Sequence, residues 1–356
     1  MNMTERSTTF DEEKRDAVPA SNAGGGMAQK MRQTFSAWRQ IRQESSARGR
    51  ALYSLAGIGI LVVIWHILTM GEPTQRVIKP IALPSITETL QSFESLWFDR
   101  ALARSAFWSL GRVFGGFLLA ASVAIPMGVL AACFWRINAL LRPISVFGRN
   151  IPIAALIPLT LIWFGLGETQ KVMFIFLASG AFIFFDSTNA VNGVSNSYLD
   201  TAHTLGAKRV PREGLIQASI AGVVHGMIFL GVAFLMGSNS TVVSKLAWCL
   251  GGFIGGMLLW YPILVNQVIK KVILPLAAPD IVNSLRLLFG LAFGYIMLAE
   301  VINAKHGLGS IIIISQRLGP REHIYLCLVL IAALAYAIDR GILWIQYKLY
   351  PYRKEL

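Results

Sequence analysis

The chain has 356 residues, 54% of them hydrophobic and only 14% charged, with a formal net charge of +13. Soluble domains carry about 25% charged residues, so the composition excludes an ordinary water-soluble globule. The basic residues sit in short clusters between long apolar runs, without a basic–aromatic groove; that placement argues against nucleic acid and reads as membrane topology, because Lys and Arg accumulate in cytoplasmic loops.

In chain order, residues 1–50 are polar and carry no pattern of a cleavable signal peptide. Residues 1–28 are predicted to be a disordered tail. Residues 29–50 hold six basic residues against the single acid Glu44 and suit a basic helix on the membrane face. A span across the ~30 Å hydrocarbon layer needs about 20 apolar residues. Eight runs qualify, at 51–69, 105–132, 143–165, 172–190, 214–236, 246–265, 280–302 and 324–347. Strand-type alternation is absent, so the predicted fold class is an all-α polytopic membrane bundle of about eight transmembrane helices. The domain plan is a basic tail over 1–50, a transmembrane domain over 51–350 and a short tail over 351–356.

Counting crossings from a cytoplasmic N-terminus places Arg136, Arg142 and Arg149 inside, then Lys208, Arg209 and Arg212, then Lys270 and Lys271, and finally the tail with Lys348, Arg353 and Lys354. The segment 70–104 falls outside, its four bases balanced by four acids. Within it, Ile86, Leu90, Phe93 and Leu96/Trp97 recur at helical spacing and predict an amphipathic surface helix. Pro126, Pro143, Pro152 and Pro158 predict bends in the second and third spans.

The fourth span is followed by Tyr198-Leu-Asp-Thr-Ala-His-Thr-Leu-Gly-Ala-Lys-Arg209, and much later comes Val272-Ile-Leu-Pro275. Joined, these resemble the cytoplasmic signature loop of ABC importer permeases, E-A-A-x3-G-x9-I-x-L-P. Asp200, Thr201 and Ala202 stand for E-A-A, Gly206 between Leu205 and Ala207 for the glycine, and Val272, Leu274 and Pro275 for I-x-L-P. The run Asn150 to Glu168, ending Trp-Phe-Gly-Leu-Gly-Glu, is similar to the nitrate/sulfonate/taurine type of these permeases. So are Ser284-Leu-Arg-Leu, Ala299-Glu300 and Gly307-Leu-Gly309. The resemblance covers about 80–209 and 266–350.

That resemblance implies a six-helix type I importer core in a bacterial inner membrane, with both termini cytoplasmic. It implies ATP-binding subunits, an external solute-binding protein and a second permease copy as partners besides the lipid bilayer. The implied cargo is a small anion or organic acid such as nitrate, a sulfonate, taurine or bicarbonate. The loop would dock as a short helix, over Asp200–Lys208, on the ATPase.

The sequence departs from the family pattern by 56 residues inserted between the loop halves, best placed at about 210–265. The insert reads as two apolar spans around the polar turn Gly237–Thr241. Gly222/Gly226, Gly251/Gly255 and Gly252/Gly256 are small-xxx-small pairs that predict close packing. Two antiparallel spans bring their ends together, so Val272–Pro275 is expected to return near Arg209. The split loop also leaves open a non-transporting permease paralogue, or an assembly or regulatory protein on the same bundle.

Charged residues inside spans are costly and mark function by default. Asp186 and Glu300 are the candidate pathway residues, Glu300 close to the loop with Gly307 and Gly309. Arg112 is expected to snorkel outward, and Asp339 with Arg340 to form a structural pair. His225 is expected to hydrogen-bond a neighbouring helix. The five His and three Cys have no metal-ligand or disulfide spacing, and neither a phosphate-binding loop nor a nucleophile elbow occurs. No catalytic residue, cofactor or metal is therefore assigned, and ATP hydrolysis is expected in a separate subunit.

Overall fold

The structure, a computed structural model, describes residues 46–236, 241–303 and 305–352. The calls on the 1–28 tail, on most of the 29–50 helix, on Gly237–Ser240 and on Arg353 and Lys354 lie outside the described residues. The chain divides into two units, 1–64 and 65–356. The described part of the first is most of helix α1, Ala47–Leu68, an apolar helix long enough to cross a bilayer. All other elements below belong to the second unit.

A short surface segment opens that unit with α2 (Ile86–Gln91) and α3 (Phe93–Phe98). Ser85 and Glu88 form a capping box at the start of α2, and Glu88 also pairs with Arg76 at 2.9 Å. The hydrogen bond from Arg76, with the Ser85 backbone, holds the Glu88 carboxyl down at about 2. The expected single amphipathic helix is thus two helices, restarted at Ser92, whose hydroxyl donates to Thr89 O. The buried face also differs from the expected stripe: Thr89, Ser92 and Leu96 are buried, whereas Leu90, Phe93 and Trp97 are exposed. Polar Ser95 meets His323 across the contact, at 2.9 Å.

The bundle follows as α4 (Leu102–Cys133), α5 (Trp135–Asn150), a 3-10 turn (Ile153–Ala155), α6 (Leu156–Phe164), α7 (Glu168–Asn192), α8 (Asn196–Thr204), α9 (Pro211–Leu235), α10 (Val242–Val265), a π-helical turn (Ile269–Ile273), α11 (Leu274–Asn303), α12 (Leu308–Leu318) and α13 (Arg321–Leu349). Among the described residues seven helices are long and apolar enough to cross a membrane, and an eighth span arises if the bent pair α5–α6 crosses once. The fold class is the expected all-α membrane bundle.

The third predicted span is the exception. The apolar run at 143–165 is not one helix: α5 and α6 meet at 93°. Pro152 lacks an N–H and biases Ile151 to extended backbone, φ −69°, ψ 128°, which stops α5.

Packing decides that this elbow completes one crossing. Arg112 on α4 pairs with Glu168 on α7. One turn on, Gly116 backs onto Val172 and Ile175, and near the far end Gly128 backs onto Phe184 and Ser187. Partner numbers rise together along both helices, so α4 and α7 are parallel. The chain between them must return from the end of α4 to the start of α7, and α5–α6 is that return. By contrast α9 runs antiparallel to α4, with Leu235 beside Gly115 and His225 beside Ser122. Helix α11 is antiparallel to α4 as well, through Phe117–Phe289 at 5.2 Å and Ser109–Glu300. The main core of Val113, Phe117, Phe174, Ile183, Phe289, Phe293 and Ile296 lies among α4, α7 and α11.

Candidate functional site

Two places concentrate polar chemistry, one at each end of the bundle. The first holds the predicted loop residues. Helix α8 begins at Ser195, whose hydroxyl caps Ser197 N, and ends in a left-handed turn. Gly206 has φ +79°; its N–H donates to His203 O at 3.0 Å and the Ala207 N–H to Ala202 O at 3.1 Å. These are the paired bonds of a Schellman ending, which needs positive φ at its glycine. The expected helix over Asp200–Lys208 is corrected accordingly: it covers Asn196–Thr204 and Leu205–Lys208 leave it. A Cβ on Gly206 would meet nothing within 4 Å, so the glycine is set there by backbone conformation, with open space in front.

The face divides cleanly. Ala202 is buried and shares one apolar cluster with Ile269 and Ile273, against which Leu199, Ala207, Val272 and Leu274 also pack. Asp200, Thr201, Gly206 and Pro275 are exposed, and Leu205 is 82% exposed. Lys208 and Gln267 exchange bonds: Gln267 N donates to Lys208 O at 3.3 Å and Lys208 N to Gln267 Oε1 at 3.0 Å. Val210 N donates to Val265 O at 2.9 Å, and Arg209 bridges Asn266. The two loop halves, 59 residues apart at Lys208–Gln267, therefore meet as backbone neighbours.

Between them rises the α9–α10 hairpin. Cβ atoms on Gly222 and Gly226 would press on Phe253 O and Cys249 O, and on Gly252 and Gly256 against Phe229 and His225. Gly251 and Gly255 have nothing within 4 Å, so of the expected pairs these two take no part in the hairpin seam. The His225 Nε2 lies 2.6 Å from Ser122 O on α4, the expected bond to a neighbouring helix.

The second place surrounds Arg112. Rather than snorkelling outward, Arg112 is 2% exposed. It donates from Nε and Nη2 to Glu168 (2.5 and 2.8 Å), and from Nη1 to Glu300 and His306 O (both 2.6 Å). Lys171 adds a bond to Glu168 at 2.9 Å. Glu300 is fully buried and also accepts from Ser109 Oγ (2.8 Å) and Gly309 N (2.9 Å). A Cβ on Gly307 would fall 2.5 Å from the Glu300 carboxyl, so the loop can lie on the carboxylate only as glycine. One guanidinium thus ties α4, α7, α11 and the loop before α12 together. The other pathway candidate, Asp186, is half-buried on α7. Its neighbour Phe185 carries the Arg149 guanidinium of α5, 3.5 Å above the ring. The expected Asp339–Arg340 pair is not formed: Asp339 pairs with Arg286 on α11 at 3.1 Å, because consecutive helical residues point about 100° apart.

The family described as "Binding-protein-dependent transport system inner membrane component" matches residues 124–245 and 265–345. The chain belongs to this family. It is similar to a putative ABC transporter permease protein of Methanocaldococcus jannaschii, 25% identical over 83% of this chain and 90% of the relative. The taurine transport system permease protein of Escherichia coli is 23% identical over 85% and 90%. The bicarbonate transport system permease protein of Synechococcus elongatus is 24% identical over 83% and 88%. Among solved structures, inward facing conformations of the MetNI methionine ABC transporter align at TM-score 0.49 and 18% identity, over 72% of this chain and 98% of that one.

This ABC-importer permease leaves 246–264 unmatched, an interval inside α10, while the match runs on through α9. The backbone closes the hairpin at Arg209 and Asn266, and α9 packs closely against α10 through Gly222, Gly226, Gly252 and Gly256.

Sequence reasoning did not single out Lys171 or Ser109, nor give Glu168 a role, although Glu168 ends the quoted Trp-Phe-Gly-Leu-Gly-Glu run. Two charges in the first turn of a span, with an Arg inside another, were the available signal for Glu168 and Lys171. It also missed an apolar cavity of about 520 Å³ under the α5–α6 elbow, lined by Ala120, Met127, Leu141, Gly148, Trp163 and Phe184.

Proposed function

We propose that this permease couples to its ATPase through α8 and the Gly206 turn, and imports a small anion or organic acid. The observation that carries the reading is the meeting of the two loop halves at Lys208 and Gln267 beneath an intact hairpin. It supports a reassembled docking surface of Asp200, Thr201, Leu205 and Gly206, backed by Ala202, Ala207, Val272, Leu274 and Pro275. Leu205 offers an apolar knob and the bare Gly206 lets a partner approach the backbone.

In this reading ATP hydrolysis takes place in separate subunits, and an external solute-binding protein delivers the cargo to a homodimer of this chain. The α8 end and both termini face the cytoplasm of a bacterial inner membrane. Closure of the ATPase pair drags α8, and through the shared apolar cluster the base of α11. The Arg112–Glu168–Glu300 group anchors α4, α7 and α11 at the far end, which supports an anchoring role for Glu300 and, in this reading, a pathway role for Asp186. The cargo class follows the taurine and bicarbonate transport named for the relatives.

Leu205→Glu and Gly206→Trp should leave membrane insertion intact and lower uptake by at least about tenfold, the loss of a central docking contact of ~1.4 kcal/mol or more. Uptake at the wild-type rate in both variants would show that coupling lies elsewhere.

A further inference from the structure

The last helix carries a charge that nothing described neutralises. Arg286 and Asp339 satisfy each other between α11 and α13. The next residue, Arg340, is exposed and makes no ion pair among the described residues. Its guanidinium instead lies 5.0 Å from the Tyr336 ring, and two turns later the Lys348 ammonium lies 5.3 Å from the Trp344 ring. Tyr336, Arg340, Trp344 and Lys348 follow one another at four-residue steps, which places them on one face of the helix. All four are exposed, so this face is a ladder of ring, cation, ring, cation.

Depth gives the ladder its chemistry. Lys348 belongs to the last turn of α13, where an ammonium and an indole suit the membrane interface. Arg340 is eight residues earlier, about 12 Å deeper along the axis at 1.5 Å per residue. Snorkelling recovers part of that distance, but an exposed guanidinium at such depth needs an anion brought to it. Arg and Lys have donors only, and a phosphate diester answers both: its oxygens accept a bidentate guanidinium. The flanking rings offer apolar faces to glycerol and acyl chains.

We propose that Tyr336, Arg340, Trp344 and Lys348 form a binding site for an anionic phospholipid, its phosphate drawn to Arg340 and its headgroup held by Lys348. The inference requires only that α13 spans the bilayer and is independent of the coupling surface.

The test is native mass spectrometry of the delipidated full-length chain in detergent, titrated with phosphatidylglycerol or with phosphatidylcholine of the same acyl chains. Near an anionic surface each Lys or Arg contributes about 1 kcal/mol, about fivefold in affinity. Wild type should therefore retain phosphatidylglycerol over phosphatidylcholine by about 25-fold, and Arg340→Gln/Lys348→Gln should lose that preference. Arg340→Lys, which keeps the charge but not the fork, should fall between, and it serves as the control if the double variant does not fold. Millimolar inorganic phosphate should leave the bound lipid in place. Equal retention of the two lipids by wild type, unchanged retention in Arg340→Gln/Lys348→Gln, or displacement by inorganic phosphate would overturn the proposal. So would loss of self-association in Arg340→Gln with lipid retention untouched, since the charge would then be met by a second copy.

Discussion

At the scale of residues, the permease concentrates its cost and its specificity in Arg112. A guanidinium taken out of water is tolerated only when every donor finds an acceptor, and here two carboxylates and a carbonyl supply them. Removing the cation strands Glu300, which has no solvent exposure, while Glu168 keeps Lys171. Arg112→Met should therefore destabilise the folded chain by about 3–5 kcal/mol, the loss seen when one partner of a buried pair is deleted. Adding Glu300→Gln to Arg112→Met should recover part of it, because Glu168 keeps Lys171 as its partner and no orphan charge remains. Thermal unfolding in detergent reads both; a single variant as stable as wild type would show that the group is not held as a unit. The sequence makes Arg112 and Glu300 conspicuous as intramembrane charges, yet their union was not legible. They lie 188 residues apart, and nothing local reports that α4 and α11 cross at that level. Snorkelling, the default for a lone Arg near a helix end, yielded to a pairing that only tertiary packing reveals.

At the scale of elements, hydropathy located six of the eight spans to within about four residues, because a helix crossing hydrocarbon must be continuously apolar, but it started the seventh at 280 although α11 begins at Leu274. It misjudged the third, since hydropathy counts apolar residues without asking whether they lie on one axis. Pro152 after Ile151 turns one apolar run into two helices at 93°. The glycine pairs of the hairpin were legible as packing residues but not by face. The structure separates Gly222 and Gly256, whose added Cβ atoms would collide with Phe253 O and His225 Cβ at 2.7 and 2.6 Å, from Gly251, which faces open space. Gly256→Leu should cost about 1–3 kcal/mol through overpacking and reduce the yield of folded protein, and Gly222→Leu should do the same. Gly251→Leu should be neutral within about 0.5 kcal/mol, as expected of an exposed site. Equal effects of Gly251→Leu and Gly256→Leu on the unfolding temperature would contradict this assignment of the seam.

At the scale of the whole molecule, the fold is a family bundle in which the α9–α10 hairpin rises between Arg209 and Asn266, with the proposed docking surface at its base. An even number of crossings preserves the sense of every later helix, and the contact between Lys208–Val210 and Val265–Gln267 holds the base of the hairpin closed. The signature was legible in two pieces: small residues and a Gly on one side, Val-Ile-Leu-Pro on the other, and Ala202, Ala207, Val272 and Leu274 of the two pieces meet in one apolar cluster. The central claim is that this chain moves solute only when a separate ATPase engages that loop. The direct measurement is uptake into proteoliposomes containing the purified chain, with and without its ATP-binding subunit and solute-binding protein, using labelled taurine, an alkyl sulfonate and bicarbonate in parallel. The account predicts no ATP turnover by the chain alone, and ATP-dependent uptake of one of the three solutes with all components present. ATP hydrolysis by the chain alone, or uptake that needs no ATP-binding subunit, would contradict it.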